Sequence, residues 1–252
     1  MAPKRCVNAL NGHMAVEPSM SNADDPLYWL EAERTQPGGS RVAFQLQMQA
    51  CEAQLIAVAD LVGEQVVPVT EAFLEADAYA ARAIIAGDVE VDRRCEELEE
   101  ACFLILARQS PVAVDLRRIV AILRSVADVQ RAGNLLSHIA ESLTWVHPPA
   151  MGAELLELLA RLGQVSGTVF SMGVQAWRDH DALAAVELQQ RDDEVDLLQQ
   201  SLLSEVYTGG RTVEEAASLA LICRYYERIA DHGVEMARQV AWFLTGERPP
   251  ED

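Results

Sequence analysis

The sequence predicts an all-α protein built as two homologous three-helix bundles. The 252 residues are dominated by helix-forming types, only 6% are aromatic, and no stretch alternates in the manner of a strand. The segment 219–247 echoes the second half of the segment 103–141, which indicates an internal duplication. Six long helices, three in each repeat, account for both observations.

Helical periodicity begins near Arg41 and is punctuated by turn and capping signals. Pro68 is expected to kink the first helix. Ser110 and Pro111 predict a capped start for the third helix, and Thr212 with Glu215 predicts a capping box for the sixth. The six helices are expected over residues 42–75, 78–108, 110–145, 153–178, 181–207 and 212–246.

The boundary between the two repeats is expected near residues 147–151. The first 40 residues contain four prolines and the pair Gly38-Gly39, and they lack helical periodicity. We therefore expect an N-terminal extension without regular structure. The predicted organisation is an extension over 1–40, a first three-helix repeat over 41–147, a second over 148–247 and a tail over 248–252.

Charge and cysteine content narrow the class of protein. Lys and Arg number 20 against 39 Asp and Glu, which gives a net charge of −19. A chain this acidic is repelled by nucleic acids and anionic lipid, so direct binding to either is not expected. The five cysteines form no CxxC pair, and no apolar run approaches the roughly 20 residues that cross a bilayer. These features favour a cytoplasmic protein with buried, reduced thiols.

Acidic residues recur at helical spacing in the second repeat. Glu227, Asp231 and Glu235 are each four residues apart and share one face of the sixth helix. Asp192 and Asp196 have the same spacing in the fifth helix. If the two helices are neighbours, these carboxylates converge. An oxygen-rich cluster of this kind suits Mg, Mn, Fe or, with a histidine, Zn.

The corresponding positions of the first repeat are partly neutral. Asp88 and Asp92 match Asp192 and Asp196, but Gln130 and Asn134 stand where the second repeat has Glu227 and Asp231. Amides bind a cation less well than carboxylates do, so any metal site should be asymmetric. Acidic faces are usually solvated surface, and we interpret His138 and His232 as surface residues too. The recurrence of the spacing in both repeats favours a site.

Enzymatic motifs are lacking in the sequence. It contains no glycine-rich phosphate loop, no GxSxG and no HExxH. No histidine has a glutamate three residues before it, which argues against a ferritin-type di-iron site. We therefore expect a protein that is not an enzyme. Two alternatives stay open, namely a carboxylate-cluster metalloprotein with hydrolytic activity and a metal-free helical scaffold.

Three segments resemble the PhoU family of phosphate-signalling regulators. They are Ala107–Arg117 (ARQSPVAVDLR), Arg191–Asp196 (RDDEVD) and Tyr226–His232 (YERIADH), and the similarity extends from about Arg41 to Glu247. The resemblance implies two homologous three-helix bundles with acidic metal-binding motifs on their surface. It also implies a cytoplasmic, non-enzymatic role as a negative regulator of phosphate uptake and phosphate-starvation signalling.

The resemblance also implies partners and ligands. The partners would be a sensor histidine kinase and the ATPase of the high-affinity phosphate transporter, with the protein a homodimer that meets the membrane only through them. The metal would be a divalent or trivalent ion such as Fe, Mn, Mg or Zn. The implied ligands are Asp192, Asp196, Glu227 and Asp231 in the second repeat, beside which Glu235 continues the acidic face, and Asp88, Asp92 and Asp128 in the first.

Overall fold

The computed structural model describes residues 40–145 and 151–248, which form seven α-helices and no strand. The extension over 1–39, the predicted boundary over 146–150 and the last four residues lie outside the described residues. Residues 40–43 belong to an N-terminal unit, and the described residues from Phe44 onward form one compact unit. The helices are α1 (Ser40–Gly63), α2 (Val66–Glu75), α3 (Ala78–Gln109), α4 (Ala113–Trp145), α5 (Ala153–Asp179), α6 (Ala184–Thr208) and α7 (Val213–Thr245).

The first predicted helix is interrupted rather than simply kinked. Helix α1 ends at Gly63, and α2 begins at Val66 with Pro68 in its first turn. A proline ring clashes with the carbonyl four residues before it, here that of Glu64, and has no N–H to donate to that carbonyl. The break therefore falls at Glu64 and Gln65. Together α1 and α2 are the first of the six long helices, so the predicted all-α, six-helix fold is confirmed.

Two other helix starts differ from the prediction. Ser110 does not cap α4; its φ of 45° places it in the left-handed region, where it ends α3. The residue before a proline avoids the helical region, and Ala113, with a φ of 51°, is itself left-handed, so α4 begins only there. Helix α6 begins at Ala184, after a turn in which Asp181 Oδ1 accepts from the Leu183 N–H at 2.8 Å. Thr212 and Glu215 do form the predicted capping box at the start of α7.

The two sets of helices share one core. Helices α3 and α4 pack together in the first repeat, and α5, α6 and α7 pack together in the second. Helix α4 also packs against α7, and α2 against α5. Leu55 of α1, Ile122 of α4, Phe170 of α5 and Tyr226 of α7 are all buried in this continuous apolar cluster. The repeats therefore fold against each other.

Polar contacts also join the repeats. The carboxylate of Glu52, buried on α1, accepts from Arg118 of α4 and contacts His180 Nε2 at 2.5 Å just past the end of α5. Arg178 of α5 pairs with Asp60 of α1 at 2.7 Å. The half-buried Glu52–Arg118 pair is costly to break on one side only, whereas the more exposed Arg178–Asp60 pair contributes less.

The stretch Arg41–Glu75 is long and apolar enough to cross a membrane by length and composition, contrary to the sequence-based expectation. Core helices of compact proteins pass the same test. Leu55, Val66 and Val69 are fully buried in the shared core, which accounts for the apolar composition. The four cysteines of the described residues are buried and unbridged; Cys6 lies outside them.

Candidate metal centre

The acidic residues of the second repeat lie where α6 packs against α7. Asp192 and Asp196 are one turn apart on α6, and Glu227 and Asp231 are one turn apart on α7. Asp196 and Asp231 are exposed, but Asp192 and Glu227 keep only 9% and 8% of their surface exposed. The two inner carboxylates are therefore not solvated surface residues, which removes the ordinary explanation for an acidic helix face at those positions.

Burial and neighbouring acids disfavour the charged form of both inner carboxylates. Burial, followed by the charges of Asp231 and Asp196, raises the pKa of Asp192 to about 6. Burial and the charge of Asp231 likewise raise the pKa of Glu227 to about 7, although Arg224 opposes the shift. Each of the two has one buried oxygen without a hydrogen-bond partner among residues 40–145 and 151–248. A cation bound between them would satisfy these oxygens and offset the repulsion.

Arginines flank the acidic residues without neutralising them. Arg224 pairs with Glu227 from an exposed position on the same helix. Arg238 lies 3.9 Å from Glu235 and donates to Gln189 of α6 at 2.7 Å. Arg224 opposes the rise in the pKa of Glu227 but does not cancel it, since that pKa still lies at about 7, so the negative charge of the cluster is only partly offset.

A cleft of about 380 Å³ opens beside these residues, and we call it the second-repeat cleft. It is lined by Asp128, Gln189, Asp192, Asp231, His232, Val234, Glu235 and Arg238. The donors suit a hard or borderline cation in chemistry and charge. In the part of the chain that the structure describes, no three His, Cys, Asp or Glu side chains already converge on one point. Binding would require carboxylate side chains to turn toward the ion.

Asp128 corrects the predicted grouping of the first-repeat acids. Gln130 faces α3, where its amide donates to Asp92 Oδ1 at 2.9 Å. Asp128 precedes Gln130 by two residues and therefore points about 200° away around α4. It lies against α7 instead, with Oδ1 3.1 Å from His232 Nδ1. Asp128 thus belongs to the second-repeat cleft rather than beside Asp88 and Asp92.

His232 is the site residue that sequence reasoning missed. We expected a surface side chain, but the ring keeps only 8% of its surface exposed. The signal was present in the sequence, since His232 follows Ile229 by three residues and precedes Met236 by four. Both neighbours are buried on α7, so helical spacing alone places His232 on the inner face.

The first repeat holds a weaker version of the acidic pair. Burial raises the pKa of Asp88, whose Oδ1 is buried with no hydrogen-bond partner in the described ranges. It borders a cavity of about 240 Å³ that Gly133 and Ser137 also line. Asp92 meets an amide rather than an acid, because Gln130 replaces the glutamate of the second repeat. A hydrogen bond between an amide and an acid replaces the two neighbouring acids of the second repeat. The first repeat is therefore expected to bind a cation more weakly.

The fold and the cleft define a duplicated helical bundle whose second repeat carries the stronger acidic cluster. The family model described as the PhoU domain matches the chain twice, over residues 55–143 and 159–240. The chain belongs to the PhoU family. The two matches also confirm the predicted internal duplication.

Curated relatives and solved structures agree with this assignment. The phosphate-specific transport system accessory protein PhoU homolog 1 of Mycobacterium leprae is 32% identical over 215 residues, which are 84% of this chain and 97% of that protein. Homolog 2 of Mycobacterium tuberculosis H37Rv is 32% identical over 212 residues, which are 83% of this chain and 100% of that one. The crystal structure of PhoU from Pseudomonas aeruginosa superposes with a TM-score of 0.75 at 26% identity, covering 81% of this chain and 100% of that one.

Proposed function

We propose that this protein is a non-enzymatic negative regulator of phosphate uptake and phosphate-starvation signalling. It acts as an adaptor between the ATPase of a high-affinity phosphate transporter and a sensor histidine kinase. The observation that carries the proposal is the match over nearly the full length of relatives named as accessory proteins of the phosphate-specific transport system. Both partners present domains to the cytoplasm, where we place this protein as a homodimer.

The second-repeat cleft is the part of the molecule to which we assign cation binding. Asp192 and Asp231, which line the cleft, and Glu227 one turn before Asp231 would hold a divalent or trivalent ion, with Asp196 and Glu235 completing the acidic cluster. The support is the pair of buried carboxylates with unsatisfied oxygens, whose pKa values burial and the nearby charge of Asp231 raise. The ion would fix α6 against α7, and the surface formed by these two helices would then be presented to a partner in one conformation.

A deletion strain tests the regulatory role. In phosphate-rich medium, loss of the gene should raise phosphate uptake and switch on starvation genes, and the wild-type gene supplied in trans should restore repression. Unchanged uptake and unchanged expression, in a strain with no second copy of such a gene, would contradict the proposal.

Affinity capture from the same strain tests the adaptor role. Tagged protein from phosphate-replete cells should retain the transporter ATPase and the sensor kinase, identified by mass spectrometry. A Glu227→Gln and Asp231→Asn double variant should retain less of at least one partner, whereas the exposed control Glu96→Gln should behave as wild type. A phosphatase assay on metal-loaded protein separates this proposal from a hydrolytic one, because we expect no turnover above the buffer with the same metal.

A further inference from the structure

A hydrogen bond between the repeats sets the state of one histidine ring. Asp128 on α4 and His232 on α7 are both more than nine-tenths buried, and Oδ1 and Nδ1 lie 3.1 Å apart. An ionised carboxylate can only accept a hydrogen bond, so Nδ1 carries the proton. Arg131 also lies 3.7 Å from the same carboxylate oxygen. In the neutral ring, Nε2 is then left with its lone pair.

That lone pair is unsatisfied. Nε2 of His232 is buried and has no hydrogen-bond partner within residues 40–145 and 151–248. Oδ1 of Asp192, on the facing helix, is buried and unpartnered in the same way. Both residues line the second-repeat cleft. Buried acceptors without donors are costly, and a cation placed between the two would satisfy both.

We propose that His232 Nε2 is a nitrogen ligand of the cation in the second-repeat cleft, and that Asp128 of the first repeat is its positioning residue. This inference rests on the cation binding put forward under Proposed function and assigns its selectivity. An aspartate that accepts from one ring nitrogen while the other faces a metal is the usual support for a ligating histidine, because it fixes the tautomer and makes the ligand more basic.

The nitrogen determines which ions the cleft prefers. Carboxylates alone suit Mg²⁺ and Ca²⁺ as well as Mn²⁺. Adding an imidazole shifts the preference away from Mg²⁺ and toward ions that favour nitrogen donors, such as Fe²⁺ and Zn²⁺. The cleft therefore offers both nitrogen and oxygen ligands, and a site of this kind discriminates against Mg²⁺. The first repeat has Leu135 where the 97-residue offset of the duplication (227 − 130) places His232, so it lacks this ligand.

The test uses the full chain, stripped with a chelator and loaded with Mn²⁺ or Mg²⁺ alone. Pulsed electron paramagnetic resonance of the Mn²⁺-loaded wild type should show coupling to an imidazole nitrogen. His232→Gln should lose that coupling and bind Mn²⁺ at least tenfold more weakly, with little change for Mg²⁺. Asp128→Asn should keep the coupling but weaken Mn²⁺ binding by about 10- to 100-fold, as changes to such supporting carboxylates do. The exposed His138→Gln is the matched control and should match wild type.

The outcomes separate this inference from the cation binding on which it rests. Mn²⁺ bound by wild type without nitrogen coupling, and bound equally well by His232→Gln, would overturn the role of His232 and leave a carboxylate site. No Mn²⁺ bound by wild type would overturn both. Circular dichroism confirms that each variant is folded. The wild-type spectrum decides the case by itself if a variant fails to fold, because the nitrogen coupling is measured on the unaltered chain.

Discussion

The hydroxyl of Tyr226 on α7 donates a hydrogen bond to Thr70 on α2, with 2.7 Å between the two oxygens. Its direction follows from Thr70, whose own proton goes to the Val66 carbonyl at 2.7 Å, so that the threonine oxygen is left to accept. Burial also raises the pKa of Tyr226 well above its usual range, which keeps the donor proton in place. A bond between residues 156 positions apart thus ties the last helix to the first repeat.

Removing this hydroxyl should destabilise the fold without altering its shape. Tyr226→Phe is expected to lower the free energy of unfolding by about 1–2 kcal/mol, because Thr70 then loses its buried donor. Urea denaturation followed by circular dichroism measures the change. Tyr207 is exposed, so Tyr207→Phe is the control and should be neutral. A neutral Tyr226→Phe would show that water replaces the lost hydroxyl.

The crossing of α5 and α7 should tolerate no added methyl group. A Cβ on Gly233 would lie 2.5 Å from Phe170 Cα, and one on Gly173 would lie 2.1 Å from the Gly233 carbonyl oxygen. Since both neighbours are backbone atoms, Gly233→Ala must separate the helices and should cost about 3 kcal/mol or more. Gly87 in α3 has open space around it, and Gly87→Ala should stabilise by about 0.5–1 kcal/mol. Similar melting temperatures for the two variants would contradict this packing.

In the absence of metal, stability should fall as pH rises from about 4 to 7. The folded protein holds protons on Asp192 and Glu227 up to pH values of about 6 and 7, whereas the unfolded chain releases them near 3.8 and 4.5. The native state therefore binds more protons in this window, and raising the pH favours unfolding. Glu227→Gln should flatten the slope and raise the melting temperature at pH 8 by several degrees, since ~1 kcal/mol shifts it by 2–4 °C at this size.

Thermal melts with chelator at pH 5 and pH 8 measure this effect. Glu96→Gln, at an exposed position on α3, should leave the slope unchanged. A wild-type protein that is equally stable at both values, with no response to Glu227→Gln, would show that the acidic cluster relaxes freely into solvent.

Metal loading should be asymmetric between the repeats. Glu227→Gln with Asp231→Asn should remove most bound metal, because it deletes two charged oxygen ligands from the acidic cluster of the second repeat. Asp88→Asn should change little, since Asp92 already pairs with the amide of Gln130. Metal content per chain after native purification, measured by mass spectrometry, checks both expectations. Full loading of the double variant would show that the ion sits elsewhere.

The converse change should create loading in the first repeat. Gln130→Glu with Asn134→Asp replaces two amides by acids on the face of α4 that meets Asp92. The metal content per chain should rise as a result. An unchanged metal content would show that added charge alone does not create a site in the first repeat. Leu135, which stands at the position of His232, would then be the next residue to replace.

Helix existence could be predicted from the sequence because helix-forming residues dominate it and apolar residues recur at helical spacing. Thr212 and Glu215 specify the start of α7 by local bonds alone, and that prediction is confirmed. Ser110 could not be assigned in the same way, because the residue is equally suited to begin one helix or to end another. The preceding helix decides the matter by extending to Gln109.

The acidic spacing identified the second-repeat residues, but it could not show which of them are buried. Asp192 and Asp196 lie on the same face of α6, yet Asp192 is buried and Asp196 is exposed. Their exposure depends on how α6 packs against α7. Asp128 was assigned by family resemblance to the wrong neighbours, although its two-residue separation from Gln130 already excludes a shared face. Contact with His232 depends on the packing of α4 on α7, and a sequence read one segment at a time does not contain that information.

The hydrogen bond that His232 donates to Asp128 joins the two repeats, so the two halves of the chain cannot be separated without losing it. A chain cut between α4 and α5 would leave three long helices in each half, with the aspartate on one and the histidine on the other. Neither fragment could rebuild the pair by binding a copy of itself, because Tyr225 and Leu135 occupy the matching positions under the 97-residue offset. The two repeats have diverged so that each supplies a different residue to this contact. They resemble the two unlike subunits of a heterodimer joined in one polypeptide.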